Sequence, residues 1–136
     1  NFNGYLRGAS ERARAWQPVL SRLTALGVPV IYLADTPQPD QDIATCMSGA
    51  LDDWSRCAFD RSRAVRTDLV AEAVAGGVWP NTYLVDLNEL ICPTTDARCA
   101  PARGGILLYR DASHLTDTAV QVLSPQLVAA VQAQIP

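Results

Sequence analysis

The run Val28-Pro-Val-Ile-Tyr-Leu-Ala34 constrains the fold of this chain more than any other segment: it is short, rich in β-branched residues and apolar on both faces. A strand with one wet face would alternate, so this one is expected to be covered by helices on both sides, in the middle of a parallel sheet. The flanking sequence supplies the helices. Ala13, Trp16, Val19, Leu20, Leu23 and Leu26 fall at helical spacing and predict an amphipathic helix over Ser10–Leu26, with Ser10 as N-cap, Gly27 as stop and Trp16 in the core. Asp35-Thr-Pro-Gln-Pro-Asp40 then breaks regular structure, and the stretch to Asp60 reads as a long loop. A second helix is expected over Arg61–Ala75, ended by Gly76-Gly77. Asn81–Asp86 repeats the short β pattern, Leu87–Ile91 suits one helical turn, and Gly105–Tyr109 reads as a strand or an extended approach to Asp111. Thr116–Ile135 is helical in character, with a break or fresh start near Ser124 imposed by Pro125. The rhythm predicts an α/β fold, a three-layer α/β/α sandwich around a parallel central sheet.

A chain of 136 residues suits one domain with one core, and 49% hydrophobic against 18% charged residues is enough to build it. All eleven basic residues are arginine, set against fourteen acids for a net charge of -3. Nucleic acid is therefore excluded as a partner, since phosphate neutralisation needs a basic surface. No apolar run approaches the roughly 20 residues that cross a bilayer.

Four cysteines fall in two close pairs, Cys46 with Cys57 and Cys92 with Cys99, each in polar, loop-like sequence. Pairing within each is one of three possible connectivities and the one with the shortest loops. Zinc is the rival reading, although structural zinc pairs usually sit two to four residues apart and these enclose ten and six. Buried free thiols are the third. Disulfides would place the chain in an oxidising compartment, outside the cytoplasm. No metal and no cofactor is expected.

His114 is the only histidine, and Asp111 precedes it by three residues in Leu108-Tyr-Arg-Asp-Ala-Ser-His-Leu115. On a turn leading into a helix, that offset lets the carboxylate reach the imidazole, orient it and stabilise its protonated form. Spacing alone equally suits a surface histidine beside a capping aspartate. The wider pattern favours catalysis. Asp-x-x-His after an extended Leu-Leu-Tyr-Arg and before a C-terminal helix resembles the last sequence block of the SGNH (GDSL-type) hydrolases. Further features, in order, are a helix followed by Val-Pro-Val-Ile-Tyr-Leu-Ala-Asp-Thr-Pro, the Cys46 and Cys57 pair, Tyr83-Leu-Val-Asp-Leu, Leu90-Ile-Cys-Pro, and Cys99. Together they resemble the SGNH domain fused to the C-terminus of bacterial acyltransferase-3 membrane acyltransferases.

The resemblance implies an SGNH/flavodoxin-like fold and a Ser-His-Asp triad in which Asp111 and His114 are the last two members. The family's nucleophile stands in Gly-Asp-Ser on the first strand-to-helix turn, and no such motif occurs here. Ser10, Ser21, Ser48, Ser55, Ser62, Ser113 and Ser124 lack that context. Residues 1–136 are therefore expected to be the later part of a single SGNH-like domain whose serine block lies upstream of Asn1. Asn1 and Asn3 stand near the family's oxyanion asparagine, with an ordinary Asn-Gly turn as the other reading. Asp35 and Thr36, after a strand, and Arg110, beside the pair, are candidates for substrate contact. Trp54, in the first cysteine loop, is the better candidate of the three tryptophans for stacking on a sugar. The implied activity is movement of an acyl group, acetyl in the first instance, between a donor and a cell-surface carbohydrate. The implied partner is an N-terminal membrane acyltransferase domain that tethers the module on the extracytoplasmic side. A free-standing secreted esterase and a degenerate, non-catalytic module that binds glycan or a partner are the alternatives.

Overall fold

A computed structural model describes residues 2–135, with side chains at residue 11 and from residue 14 onward. The chain forms two compact units, the first from residues 1–34, 67–86 and 130–136, the second from 35–66 and 87–129.

The first unit opens on α1 (Phe2–Thr24). Ser10 is inside this helix and not its cap, because Leu6 and Ala9 continue the apolar spacing backwards from Ala13. Gly27, at φ 71°, takes the left-handed conformation that ends the chain's helical path. Next come β1 (Val30–Leu33), α4 (Leu69–Ala75) and β3 (Thr82–Val85). β1 and β3 are parallel, from Val30 opposite Thr82 to Leu33 opposite Val85, as a crossover through a helix requires. The core of this unit is Leu20, Val70, Val74 and Trp79, with Val30, Tyr32, Ala73 and Leu84 packed against it.

Trp16 departs from expectation: it is 43% exposed, while Leu20, one turn on, is 2% exposed. The apolar stripe of α1 is wider than the face it buries, so its Leu20 edge enters the core. Trp16 instead meets the Tyr32 ring edge-on at 6.2 Å. The expected second helix is two, α3 (Arg61–Ala64) and α4. Asp68 causes the restart, its Oδ1 accepting the N–H groups of Val70 at 2.9 Å and Ala71 at 3.1 Å as an N-cap.

The second unit strings short elements around the cysteines. They are α2 (Ile43–Ser48), a 3-10 turn (Trp54–Cys57), β2 (Phe59–Asp60), α3, α5 (Asn88–Ile91), β4 (Arg98–Cys99), β5 (Ala102–Arg103) and β6 (Ile106–Leu107). β2 pairs with β4 and β5 with β6, both antiparallel. Gly104 and Gly105, at φ 57° and 78°, make the tight turn that folds β6 back on β5. That turn is why Gly105–Tyr109 does not join β1 and β3, and the parallel sheet among the described residues has two strands. Disulfides join Cys46 to Cys57 and Cys92 to Cys99, which removes both the zinc and the free-thiol readings. Cys57, Cys92 and Cys99 lie in a core shared with Ile43, Phe59, Ile91 and Tyr109. α6 (Asp117–Gln134) begins in this unit and runs through Pro125 without the expected break. Ser124 Oγ donates to the Val120 carbonyl at 2.8 Å on the turn before the proline.

Candidate active site

The Asp111–His114 segment is a closed turn at the end of an antiparallel approach. Leu108 N–H donates to the Pro101 carbonyl at 3.0 Å and Thr116 N–H to the Leu108 carbonyl at 2.9 Å. Tyr109 bridges to Leu115, and Arg110 N–H donates to the His114 carbonyl at 2.9 Å. Tyr109 anchors the turn from beneath. It is fully buried, its hydroxyl donates to the Pro37 carbonyl at 2.7 Å, and burial raises its phenol above the ordinary range, with the Asp35 charge a lesser contribution. On the far side Thr116 caps α6, its Oγ1 accepting from Ala119 N–H at 3.1 Å.

Within the turn, Asp111 Oδ1 accepts the N–H of Ser113 and of His114, both at 2.8 Å, while Oδ2 lies 2.8 Å from His114 Nδ1. One carboxylate both shapes the turn and holds the imidazole. The Ser113 and His114 N–H groups, with the imidazole after them, lower the Asp111 carboxyl to about 2, so it is charged at any physiological pH. Its charge selects the tautomer with hydrogen on Nδ1, which leaves the Nε2 lone pair directed away from the pair. Among the described residues no group hydrogen-bonds Nε2, and the side chain is 64% exposed. The arrangement suits a base that takes a proton at Nε2 and is stabilised as imidazolium by Asp111.

Ser113 Oγ is 3.3 Å from His114 Nδ1, the nitrogen occupied by Asp111, so it is on the wrong side to be activated. The hydroxyls of Ser48, Ser55, Ser62 and Ser124 are each spent on a neighbour: the Thr45 carbonyl, Asp53, Asp60 and the Val120 carbonyl. Asp35 faces its own loop, accepting from Thr36 N–H at 2.9 Å and from Gln38 Nε2 at 2.6 Å. Thr36 is half-buried beside it. Arg110 is exposed, its Nε 3.7 Å from Asp111 Oδ2. Trp54 is 48% exposed on the 3-10 turn, whereas Trp79 is buried. Asn3 is in α1 and not in a turn, but its side chain, like Asn1, lies outside the described residues.

A mixed α/β chain with a parallel strand pair flanked by helices, two local disulfides and an Asp-x-x-His turn before its last helix has the features of a hydrolase-type α/β module. The family described as "SGNH domain (fused to AT3 domains)" matches residues 2–129, and the chain belongs to that family. No curated protein and no solved structure matches it.

Proposed function

We propose that this chain is the later part of an extracytoplasmic SGNH acyl-transfer domain that works with a membrane acyltransferase-3 domain on cell-surface carbohydrate. β1 and β3 are then two strands of a three-layer sandwich. The carrying observation is the imidazole of His114, fixed at Nδ1 by Asp111 at 2.8 Å with Nε2 open. Two disulfides support an oxidising compartment. No helix among the described residues is long and apolar enough to cross a membrane.

In this reading the nucleophilic serine comes from sequence outside these residues. His114 Nε2 takes the serine proton as Oγ attacks the acyl carbonyl, and Asp111 stabilises the imidazolium. The proton passes to the leaving group, which departs and leaves an acyl-serine. A sugar hydroxyl then gives its proton to Nε2 and attacks the acyl carbon, and the serine leaves with that proton. Asn1 and Asn3 are the candidates for donating to the oxyanion, and Asp35, Thr36, Trp54 and Arg110 for flanking the acceptor.

The test is fluorophosphonate labelling of the whole protein that contains this chain. Covalent labelling is expected in the wild type and its near-complete loss in His114→Ala. Equal labelling of the two would overturn the reading.

A further inference from the structure

A cavity of about 440 Å³ opens in the second unit, lined by Asp40, Gln41, Ala58, Phe59, Asp60, Arg63 and Arg98. None of the candidates read from the sequence lines it. It is tethered to the Asp111–His114 turn twice. Phe59 meets the ring of Tyr109 edge-on at 5.6 Å, two residues ahead of Asp111. On the other wall, Ile43 N–H donates to the Asp111 carbonyl at 3.4 Å, two residues after Gln41.

The chemistry of the lining is specific. Asp60 and Arg98 are opposite partners in the β2–β4 pair, which puts both side chains on one face. The Ser62 hydroxyl and N–H keep Asp60 ionised. Arg98 donates to the Ala58 carbonyl, and Gln41 Nε2 to the Cys57 carbonyl at 3.2 Å, while the Gln41 oxygen has no hydrogen-bond partner among the described residues. Arg63 Nε is 2.9 Å from Asp40 Oδ2, which leaves its two terminal NH2 groups and Asp40 Oδ1 without a protein partner among the described residues.

Two guanidiniums and two carboxylates sum to zero charge. An anion at the two free NH2 groups of Arg63 would share the cavity with the Asp40 and Asp60 carboxylates, and a cation would meet the two arginines. A hydroxyl suits both partners at once, donating to a carboxylate while accepting from a guanidinium. Phe59 is 5% exposed, so it offers no ring face for stacking and the recognition is by hydrogen bonds.

We propose that this cavity is a subsite for a neutral, polyhydroxylated sugar unit whose adjacent hydroxyls bridge Asp40 with Arg63 and Asp60 with Arg98. That it serves the acceptor of an acyl transfer rests on the function proposed above; that it binds a neutral sugar does not.

The experiment measures binding without any acyl donor, by applying the protein to an array of neutral and acidic oligosaccharides and titrating the best binder by NMR at the arginine Nε–H signals. Neutral oligosaccharides are expected to bind. Asp40→Asn and Arg63→Gln, both at exposed positions, should each weaken binding about tenfold or more. His114→Ala should bind as the wild type does. Binding to acidic glycans alone, to none on the array, or equally by wild type and both cavity variants overturns the subsite. If sugar binding follows the cavity while acyl transfer is indifferent to His114, the subsite stands and the catalytic reading falls.

Discussion

Asp111 does two jobs with one carboxylate, and the two respond differently to substitution. In Asp111→Asn the amide oxygen can still accept the Ser113 and His114 N–H groups, so the turn should persist. The amide NH2 then faces Nδ1 and selects the tautomer with hydrogen on Nε2, which cannot take a proton there. In the whole protein, His114→Ala should lower acyl transfer by about 10³ or more, and Asp111→Asn should cause a large but smaller loss. The double variant should lose little beyond His114→Ala, because residues acting as one unit are not additive. Kinetics on purified, folded variants check this, and full activity in Asp111→Asn would show that the two are not a catalytic pair. The pH behaviour follows from the depressed carboxyl. An unfolded aspartate titrates near 3.8 and this one near 2. Asp111 therefore contributes stability in full above about pH 4 and loses it as pH falls toward about 2. The Asp111 carboxyl ¹³C signal, followed down in pH, should move near 2, and a midpoint near 4 would mean its hydrogen bonds are absent in solution.

At the scale of elements, the second unit has strands of two residues each, too short to be stable as isolated pairs, and two disulfides inside its core. Removing Cys92–Cys99 with paired serine substitutions should cost roughly 2–3 kcal/mol, read from urea unfolding. A non-reduced digest should yield linked peptides for Cys46 with Cys57 and Cys92 with Cys99, and cross-pairing between the loops would contradict the fold. In the first unit, Asp68→Ala removes the cap of α4 together with the acceptor of the Tyr32 hydroxyl at 2.8 Å, at an expected cost of about 1–2 kcal/mol. These elements were unequally legible in the sequence. β1 and β3 could be read because an unbroken β-branched apolar run has few other uses. The first residues of α1 are hard to read because a serine looks like a cap until the spacing behind it is followed. The α3–α4 break was hidden because Asp68 interrupts an apolar pattern that is otherwise nearly continuous. The hairpin at Gly104-Gly105 depends on two successive positive φ angles that one Gly-Gly pair only permits. Asp111 and His114 could be paired from the sequence because they stand three positions apart, whereas the cavity's Asp40, Asp60, Arg63 and Arg98 are spread over nearly sixty residues and share no local pattern.

For the whole molecule, the proposed acyl transfer turns on what the imidazole of His114 has to activate. Ser113 sits at Nδ1, and four other serine hydroxyls are engaged locally, so none of these five is hydrogen-bonded to His114 Nε2. The proposed triad takes its serine from a Gly-Asp-Ser motif, and that motif is not in these 136 residues. Without that serine no acyl-enzyme forms. Residues 1–136 by themselves should therefore take no fluorophosphonate label and release no acetate from an acetyl ester above the rate in buffer. Joined to a segment that carries the Gly-Asp-Ser strand, the same chain should do both, and His114→Ala should abolish both again. Turnover by the isolated chain that disappears in His114→Ala would mean that one of its own seven serines is the nucleophile. Labelling followed by peptide mapping would then identify which one, and the reading of Ser113 as a bystander on the Nδ1 side would be the first to fall.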